Sequence, residues 1–187
     1  REWISVEAPL AFIKDITGNY ASDAEMKKLV DTSVIVIVPM LNVDGTIWSH
    51  SNQPIWRKNR NPANGSVGVD NNRNYSYKWG VSGASSWAGS DTYKGPHAMS
   101  EAENQAVRAL AEKYRFTAGV SFHSYSDLIL WPWSYTDAVA TKDDAILKKH
   151  GTEMGRIMGY RPIQSSELYP AAGDTDDFLY GEYNVLN

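Results

Sequence analysis

The chain has 187 residues, 42% hydrophobic and 12% aromatic, which is enough apolar material for one domain with a substantial core. Its net charge of −4 provides no basic surface for nucleic acid or an anionic membrane, and no apolar run is long enough to cross a bilayer. The absence of cysteine excludes disulfides and thiolate metal sites, so that His, Asp and Glu are the remaining strong ligands.

The first half of the chain predicts two helices and one strand. Apolar residues over positions 2–12 indicate a largely buried helix, and a second short helix is predicted over 24–30. The β-branched run at 34–38 is typical of a strand covered on both faces, as in an α/β sheet. Residues 41–96 form a segment too long for an ordinary connection, and loops of this size on α/β scaffolds usually carry function.

The second half contains two helix signals. A capping-box pattern at residues 100–103 predicts a helix that runs to about Lys113. The same pattern at Thr141 and Asp144 predicts an amphipathic helix that reaches Gly159. We see no repeat or linker, so the chain is expected to form one domain.

His123 lies between two strand-type runs, at 116–120 and 128–131, and should therefore stand at the end of a buried strand and point into a cleft. A neutral imidazole in that position is a good zinc ligand, and a histidine satisfied by hydrogen bonds is the alternative. The predicted fold class is α/β, with a mixed, mostly parallel central sheet flanked by helices and one long functional loop region.

Three polar motifs lie in the long loop. Each alone is typical of a turn or a solvated basic run. Together, two arginines and an asparagine near a strand-end histidine could supply fixed positive charge and donors for a carboxylate. The motifs are Asn42-Val43-Asp44-Gly45, Ile55-Trp56-Arg57-Lys58-Asn59-Arg60 and Gly68-Val69-Asp70-Asn71-Asn72-Arg73-Asn74.

The order of these and other motifs resembles that of zinc carboxypeptidases of the carboxypeptidase A/B type. The resemblance runs the length of the chain and rests on Arg1-Glu2-Trp3, Asn42-x-Asp44-Gly45, Trp56-Arg57-Lys58, Gly68-Val69-Asp70-x-Asn72-Arg73-Asn74, Tyr93-x-Gly95, Ser100-Glu101 and Phe122-His123-Ser124-Tyr125. The stretch Tyr169-Pro170-Ala171-Ala172-Gly173-Asp174 and the lack of cysteine make it most similar to bacterial members resembling carboxypeptidase T.

The resemblance implies a Zn²⁺ cofactor held by two histidines and a glutamate, the ligand set of carboxypeptidase A. Glu2 and His123 match two of these ligands. The third, a histidine in the family's His-x-x-Glu pattern, would fall upstream of Arg1. The remaining histidines match no ligand position and are expected to be surface or structural residues: His50, His97 and His150.

Substrate contacts are also implied by the resemblance. Asn72 and Arg73 match the pair that binds the C-terminal carboxylate of a peptide, and Arg57 matches the arginine that stabilises the oxyanion of the scissile carbonyl. Tyr169 matches the mobile tyrosine that closes over the bound residue, for which simple packing is the alternative. Tyr125 matches a tyrosine of the adjoining subsite.

Two carboxylates bear on specificity. In the ungapped match of residues 169–180 to the family, the resemblance places Asp176 where an aspartate marks preference for basic C-terminal residues, and Asp174 lies close by. An ordinary polar turn is the alternative for this stretch, and a broad preference that includes apolar residues stays open.

The implied reaction is metal-assisted hydrolysis of the C-terminal peptide bond, with a zinc-bound water, a glutamate base and Arg57 on the carbonyl. The base glutamate would fall beyond Asn187, and Glu182 matches no family base. We therefore expect residues 1–187 to be a single partial catalytic domain that, on its own, binds zinc weakly and hydrolyses peptides poorly.

Two other classes of function stay open: a peptide C-terminus binding module without catalysis, and a zinc amidase or endopeptidase on the same scaffold. A purely structural role explains none of the polar motifs. The resemblance implies peptide or protein C-termini as partners, with neither nucleic acid nor membrane, and an extracellular, monomeric protein.

Overall fold

The computed structural model describes residues 2–62 and 67–187, so Arg1, which opens one of the quoted motifs, and residues 63–66 lie outside the described part. The elements in chain order are α1 (Ile4–Asn19), α2 (Ala24–Thr32), α3 (Val43–Ser51), a 3₁₀ turn (Asn71–Arg73), α4 (Ala102–Tyr114), β1 (Leu128–Trp131), α5 (Asp144–Met158), β2 (Arg161–Gln164), α6 (Ser165–Leu168) and α7 (Thr175–Tyr183). Within the described residues, no helix combines the length and apolar character needed to cross a bilayer.

The strands β1 and β2 form a parallel pair in which Leu128 lies opposite Arg161 and Trp131 lies opposite Gln164. The helix α5 connects them and packs on both, as parallel strands require. Gly151 of α5 allows this close packing, because a Cβ there would lie 2.8 Å from the Trp131 ring. The α/β unit agrees with the predicted fold class, and β1 occupies the predicted positions 128–131.

The helices predicted from capping patterns are confirmed, but their caps differ from the prediction. The N-caps of α4 and α5 are Glu101 and Asp143, and neither side chain caps its helix. The Ser100 hydroxyl donates instead to Glu101 Oε1 at 2.7 Å. The helix α5 ends as predicted at Gly159, which adopts a φ of +73°. The predicted helix at 24–30 is α2, and Asp23 caps it.

The strand predictions at 34–38 and 116–120 are wrong for this structure. Neither run forms a strand, although Ala118 makes one isolated bridge with Leu186. A strand needs hydrogen bonds to a neighbour, and the described residues place no neighbouring strand beside either run. Val34 and Val38 are exposed rather than covered on both faces. His123 therefore follows an irregular segment.

The first helix and the long loop also differ from expectation. The helix α1 is longer than the predicted 2–12, and Pro9 is its one buried residue, so it is not largely buried. The helix α3 lies within the segment predicted as loop, and its N-cap Asn42 accepts from the backbone N–H of Gly45 at 3.0 Å. The motif that resembles a turn thus begins a helix.

The core holds α7 in place. The core has two clusters of buried hydrophobic residues, and each contains one residue of α7, Tyr180 or Phe178. The first cluster consists of Trp131, Trp133, Leu147 and Tyr180, and the second of Tyr75, Met99 and Phe178. The Tyr75 and Phe178 rings stack with centroids 4.9 Å apart. Because α7 begins beside the polar motifs, this packing fixes the end of the helix that the site uses.

Candidate active site

Glu2 and His123, the two predicted metal ligands, are in direct contact. His123 Nδ1 lies 3.1 Å from Glu2 Oε2, and the Ser124 N–H donates to the same oxygen at 3.0 Å. Burial opposes ionisation of Glu2, but the hydrogen bond and charge of His123, the Ser124 N–H and Arg57 outweigh it and lower the pKa of Glu2 to about 2. Burial of His123 acts to lower its pKa, but the hydrogen bond and the charge of the Glu2 carboxylate outweigh this effect and raise the pKa of His123.

This pair has the donor chemistry of a zinc site. Zinc ligands lie about 2.0–2.2 Å from the ion, so two ligand atoms of one ion stand about 3–3.5 Å apart, which the 3.1 Å separation satisfies. Among residues 2–62 and 67–187, no group of three or more His, Cys, Asp or Glu side chains is arranged so that it could hold a metal ion. Glu2 and His123 therefore have the donor atoms and the spacing that two ligands of one zinc ion need.

Arg57, the predicted oxyanion residue, lies beside the pair. Its Nε donates to Asp70 Oδ2 at 2.7 Å, and its Nη1 lies 3.5 Å from Glu2 Oε1. Burial acts to lower the pKa of Arg57, but the charges of Asp70 and Glu2 raise it above its ordinary value. A permanently charged guanidinium thus adjoins the candidate metal ligands.

Hydrogen bonds to the N-cap of the 3₁₀ turn and to the start of α7 orient the backbone and the side chain of Asn72. Its backbone N–H donates to Asp70 Oδ1 at 3.1 Å, which caps the 3₁₀ turn. Its side-chain oxygen accepts from the Thr175 backbone N–H at 3.0 Å and from the Thr175 hydroxyl at 3.1 Å, at the start of α7. The amide nitrogen, the donor that a carboxylate needs, is consequently the end that Thr175 does not use.

Arg73 is 3% exposed and is held by backbone carbonyls: its Nε donates to Gly83 at 2.9 Å and its Nη1 to Asn72 at 2.6 Å. Its Cζ lies 5.9 Å from the ring centroid of Tyr169, whose own side chain is half-exposed. Gly83 has a φ of +56°, and a Cβ there would lie 1.8 Å from the Pro170 oxygen. The backbone at Gly83 therefore supports both Arg73 and the Tyr169 segment.

A cavity of about 390 Å³ joins these groups, with Glu2, Arg57, Asp70, Asn72, His123 and Thr175 in its lining. The structure thus brings four of the predicted site residues, Glu2, Arg57, Asn72 and His123, to one cavity. Arg73 and Tyr169 lie next to it without lining it, while Tyr125 is 95% exposed and does not line it.

Residues 1–187 match the Peptidase_M14 family profile, described as zinc carboxypeptidase, over the whole chain. The chain belongs to the zinc carboxypeptidase family. It is 35% identical over 191 residues to carboxypeptidase A1 of Homo sapiens, and the matched region covers 97% of this chain and 46% of the relative. It is 33% identical over 204 residues to a zinc carboxypeptidase of Saccharothrix mutabilis subsp. capreolus, and this match covers 99% of this chain and 46% of the relative. The chain therefore spans about half the length of the curated relatives that it matches.

Solved structures show the same fold. Bovine thrombin-activatable fibrinolysis inhibitor in complex with tick carboxypeptidase inhibitor superposes with a TM-score of 0.87 and 33% identity, over 100% of this chain and 66% of that one. Carboxypeptidase A of Helicoverpa armigera gives a TM-score of 0.75 and 25% identity, over 97% and 46%. These structures confirm the α/β class, and relatives of this zinc carboxypeptidase family use Zn²⁺.

Asp174 and Asp176, the predicted specificity residues of this carboxypeptidase chain, are engaged in structural contacts. Asp174 Oδ1 accepts from the Asp177 backbone N–H at 3.0 Å and caps α7, and Asp176 Oδ1 accepts from Asn187 Nδ2 at 2.6 Å. Burial raises the pKa of both carboxyls. Neither lines the cavity described above, and their role in substrate selection stays a prediction.

Asp177 predicts a dependence of stability on pH. Its fully buried carboxyl accepts from the backbone N–H groups of Ser134 (2.7 Å) and Tyr135 (2.9 Å), and burial outweighs these bonds and raises its pKa to about 7. The folded state therefore keeps a proton that the unfolded state releases above about pH 4. We expect the free energy of unfolding to fall as the pH rises from about 4 to 7.

Urea unfolding at a series of pH values measures this effect, and Asp177→Asn is expected to flatten the dependence. Asp174 and Asp176, whose carboxyl pKa values are also raised by burial, contribute with the same sign as the pH rises above about 4. A free energy of unfolding that increases over this interval would contradict the assignment.

Sequence analysis missed two carboxylates that support the site, Asp70 and Glu101. Glu101 is 1% exposed; its Oε2 accepts from Asn59 Nδ2 at 2.7 Å and from Asn61 Nδ2 at 2.9 Å. Asn59 Oδ1 in turn accepts from the Val69 backbone N–H at 2.8 Å. The signal for Asp70 was its place two residues before Asn72, where an Asx turn forms. Glu101 stands in the quoted Ser100-Glu101 motif, but no local pattern predicts its supporting role, because its partners are about 40 residues away.

Glu101→Ala is expected to lower the free energy of unfolding by about 3 kcal/mol, because it removes the acceptor of several buried donors. Chemical denaturation measures the change. Glu153→Ala is the matched control, since Glu153 is an exposed partner of Arg156 and its removal should leave the free energy of unfolding nearly unchanged. Equal losses in the two variants would exclude a supporting role for Glu101.

Proposed function

We propose that the protein containing this chain is a zinc-dependent metallocarboxypeptidase, a hydrolase that removes C-terminal residues from peptides. One observation carries the proposal: the Glu2–His123 pair, the Arg57 guanidinium and the Asn72 amide line a single cavity. The carboxypeptidase A and B proteins among the relatives support the same activity.

The residues of this chain divide the task between the reacting bond and the substrate terminus. Glu2 and His123 would hold the Zn²⁺, which when bound would polarise the scissile carbonyl and acidify a water. Arg57 directs fixed positive charge at the position where the carbonyl oxygen becomes negative. Asn72 donates from its amide nitrogen to the substrate carboxylate.

Arg73 and Tyr169 complete the recognition of the substrate terminus. Arg73 stands beside Asn72 as the second donor to the carboxylate, in a position that its backbone hydrogen bonds fix. Tyr169, half-exposed above Arg73, closes over the terminal residue, and Tyr125 serves the adjoining subsite. The pair of donors makes the free carboxylate the feature that selects the terminal bond.

We further propose that residues 1–187 form a single partial catalytic domain. The match of the whole chain to one family, together with its coverage of 46% of relatives, supports this division. The activity then belongs to the whole protein, and this chain contributes two metal ligands and the carboxylate site.

The proposed specificity is for basic or mixed C-terminal residues. Asp174 is the N-cap of α7 and Asp176 lies in its first turn, and either carboxylate could pair with a substrate Lys or Arg side chain. Relatives include both carboxypeptidase A1 and carboxypeptidase B. Comparison of peptides that end in Arg and in Leu tests this preference.

The natural partners are proposed to be peptide or protein C-termini, met outside the cell by a monomeric protein. One solved relative is in complex with tick carboxypeptidase inhibitor. Light scattering at several concentrations measures the oligomeric state.

A second candidate is a reader of peptide C-termini that does not hydrolyse them. It is favoured by one observation: the described residues contain the carboxylate donors but gather only two metal ligands. Such a module would bind a peptide with a free carboxylate, would not bind its amidated form, and would turn over neither.

The deciding experiment uses the whole protein that contains this chain, and measures its zinc content after dialysis and its hydrolysis of matched peptides with free or amidated C-termini. A carboxypeptidase holds one zinc per molecule and releases the terminal residue only from the free form. Cleavage of the amidated peptide would indicate an endopeptidase or amidase. Binding of the free form without zinc or turnover would establish the reader instead.

A further inference from the structure

Asp70 is buried between two parts of the proposed site and uses both carboxylate oxygens. Its Oδ2 accepts from Arg57 Nε at 2.7 Å, and its Oδ1 accepts from the Asn72 backbone N–H at 3.1 Å. Its own backbone is fixed as well, because its N–H donates to the Tyr93 carbonyl at 2.8 Å and its carbonyl accepts from the Arg73 N–H at 2.9 Å. One short side chain thus spans the oxyanion arginine and the carboxylate-binding turn.

We propose that Asp70 is a positioning residue that fixes the Arg57 guanidinium relative to the Asn72–Arg73 turn. This inference rests on the proposed function. In a carboxypeptidase, the distance from the terminal carboxylate to the scissile carbonyl is set by one amino-acid residue. The two sets of donors must keep that separation, and a rigid link between them maintains it.

Asp70 also separates Arg57 from the candidate metal ligand. Arg57 stands between two carboxylates, with Nε at 2.7 Å from Asp70 and Nη1 at the longer distance of 3.5 Å from Glu2. The shorter bond directs the guanidinium edge toward Asp70 and leaves the contact with Glu2 loose. Without Asp70, Arg57 would pair more closely with Glu2 and move away from the substrate carbonyl.

A double-mutant cycle tests whether Asp70 acts through Arg57. The variants are Asp70→Asn, Arg57→Ala and the double variant, in the purified, zinc-loaded protein that contains this chain. Asparagine keeps the size of aspartate but offers only one acceptor oxygen to the two donors. Asp70→Asn is expected to lower kcat about 10-fold or more, with KM changed less than about threefold, because Arg57 acts in the transition state.

In the Arg57→Ala background, the same substitution is expected to change kcat less than about twofold, since the group that Asp70 positions is gone. Asp177→Asn is the matched control, because Asp177 is another buried carboxyl that accepts two backbone N–H bonds. Its effect on kcat, whatever its size, should be the same with and without Arg57. An equal loss from Asp70→Asn in both backgrounds would overturn the inference.

A second readout does not depend on turnover. The Arg57 Nε–H resonance in a nitrogen-15 spectrum reports its hydrogen bond to Asp70, and Asp70→Asn is expected to shift it and to speed its exchange with solvent. An unchanged resonance overturns the inference even if the protein hydrolyses peptides. If the wild-type protein hydrolyses none, the proposed function fails, and a catalytic role for Asp70 fails with it. In that case the resonance still decides whether Asp70 fixes Arg57.

Discussion

In the whole protein that contains this chain, Arg57→Ala is expected to lower kcat for the proposed peptide hydrolysis by about 100- to 1,000-fold, the loss seen when one oxyanion donor is removed. The guanidinium is nearly buried and held by Asp70 beside the candidate metal ligands, so in the proposed reaction it is fixed close to the carbonyl oxygen that becomes negative. Water cannot replace it well, because water has to reorient around the developing charge. Steady-state kinetics on one peptide with a free C-terminus measures the loss.

Two variants calibrate this result. Arg57→Lys keeps the charge but loses the planar fork, so its kcat should fall between those of the wild type and the alanine variant. Arg156→Ala removes an exposed arginine whose partner is Glu153, and it should leave kcat within about twofold. If Arg57→Ala raised KM and left kcat unchanged, Arg57 would be a substrate-binding residue rather than an oxyanion donor.

His123→Ala is expected to reduce zinc affinity by at least about 100-fold, since loss of an outer-shell partner alone costs 10- to 100-fold. His123 Nδ1 contacts Glu2 Oε2 directly, and its removal leaves one candidate ligand at this place. Competition against a zinc indicator measures the affinity, and metal analysis after dialysis measures the content.

The control for this prediction is His97→Ala. His97 is an exposed histidine whose Nδ1 lies 3.0 Å from the Ala98 carbonyl, and its removal should leave the zinc affinity unchanged. An equal loss of zinc from the two variants would mean that the ion binds elsewhere. Retention of full affinity in His123→Ala would remove His123 from the ligand set.

The sequence predicted which side chains meet in one place, while their roles in the reaction stay predictions. Motif residues such as His123, Glu2 and Asn72 are read from residue type and order, and the structure brings them to one cavity. The segment 128–131 was predicted correctly as a strand because its partner β2 lies within the chain. Residues 34–38 have an equally strong strand pattern but no neighbouring strand among the described residues, and propensity alone does not supply hydrogen bonds.

Long-range support is the part that a local pattern cannot predict. Glu101 reads as part of a helix start, yet its carboxylate holds Asn59 and Asn61, about 40 residues earlier in the chain. The Asn42 motif reads equally well as a turn or as a helix N-terminus, and the structure shows the latter. Both outcomes depend on what packs nearby, which tertiary structure decides.

The contact between Gly83 and Pro170 limits how this chain can be re-engineered. The Gly83 carbonyl accepts a hydrogen bond from Arg73 Nε. The backbone of the Tyr169 segment passes so close to Gly83 that a methyl group at position 83 would collide with the Pro170 carbonyl. A chimera that takes only the Tyr169 segment from a relative would therefore join two surfaces that were not shaped together. Residues 82–83 and 169–173 have to be grafted as one unit if the new segment is to keep its packing against Gly83.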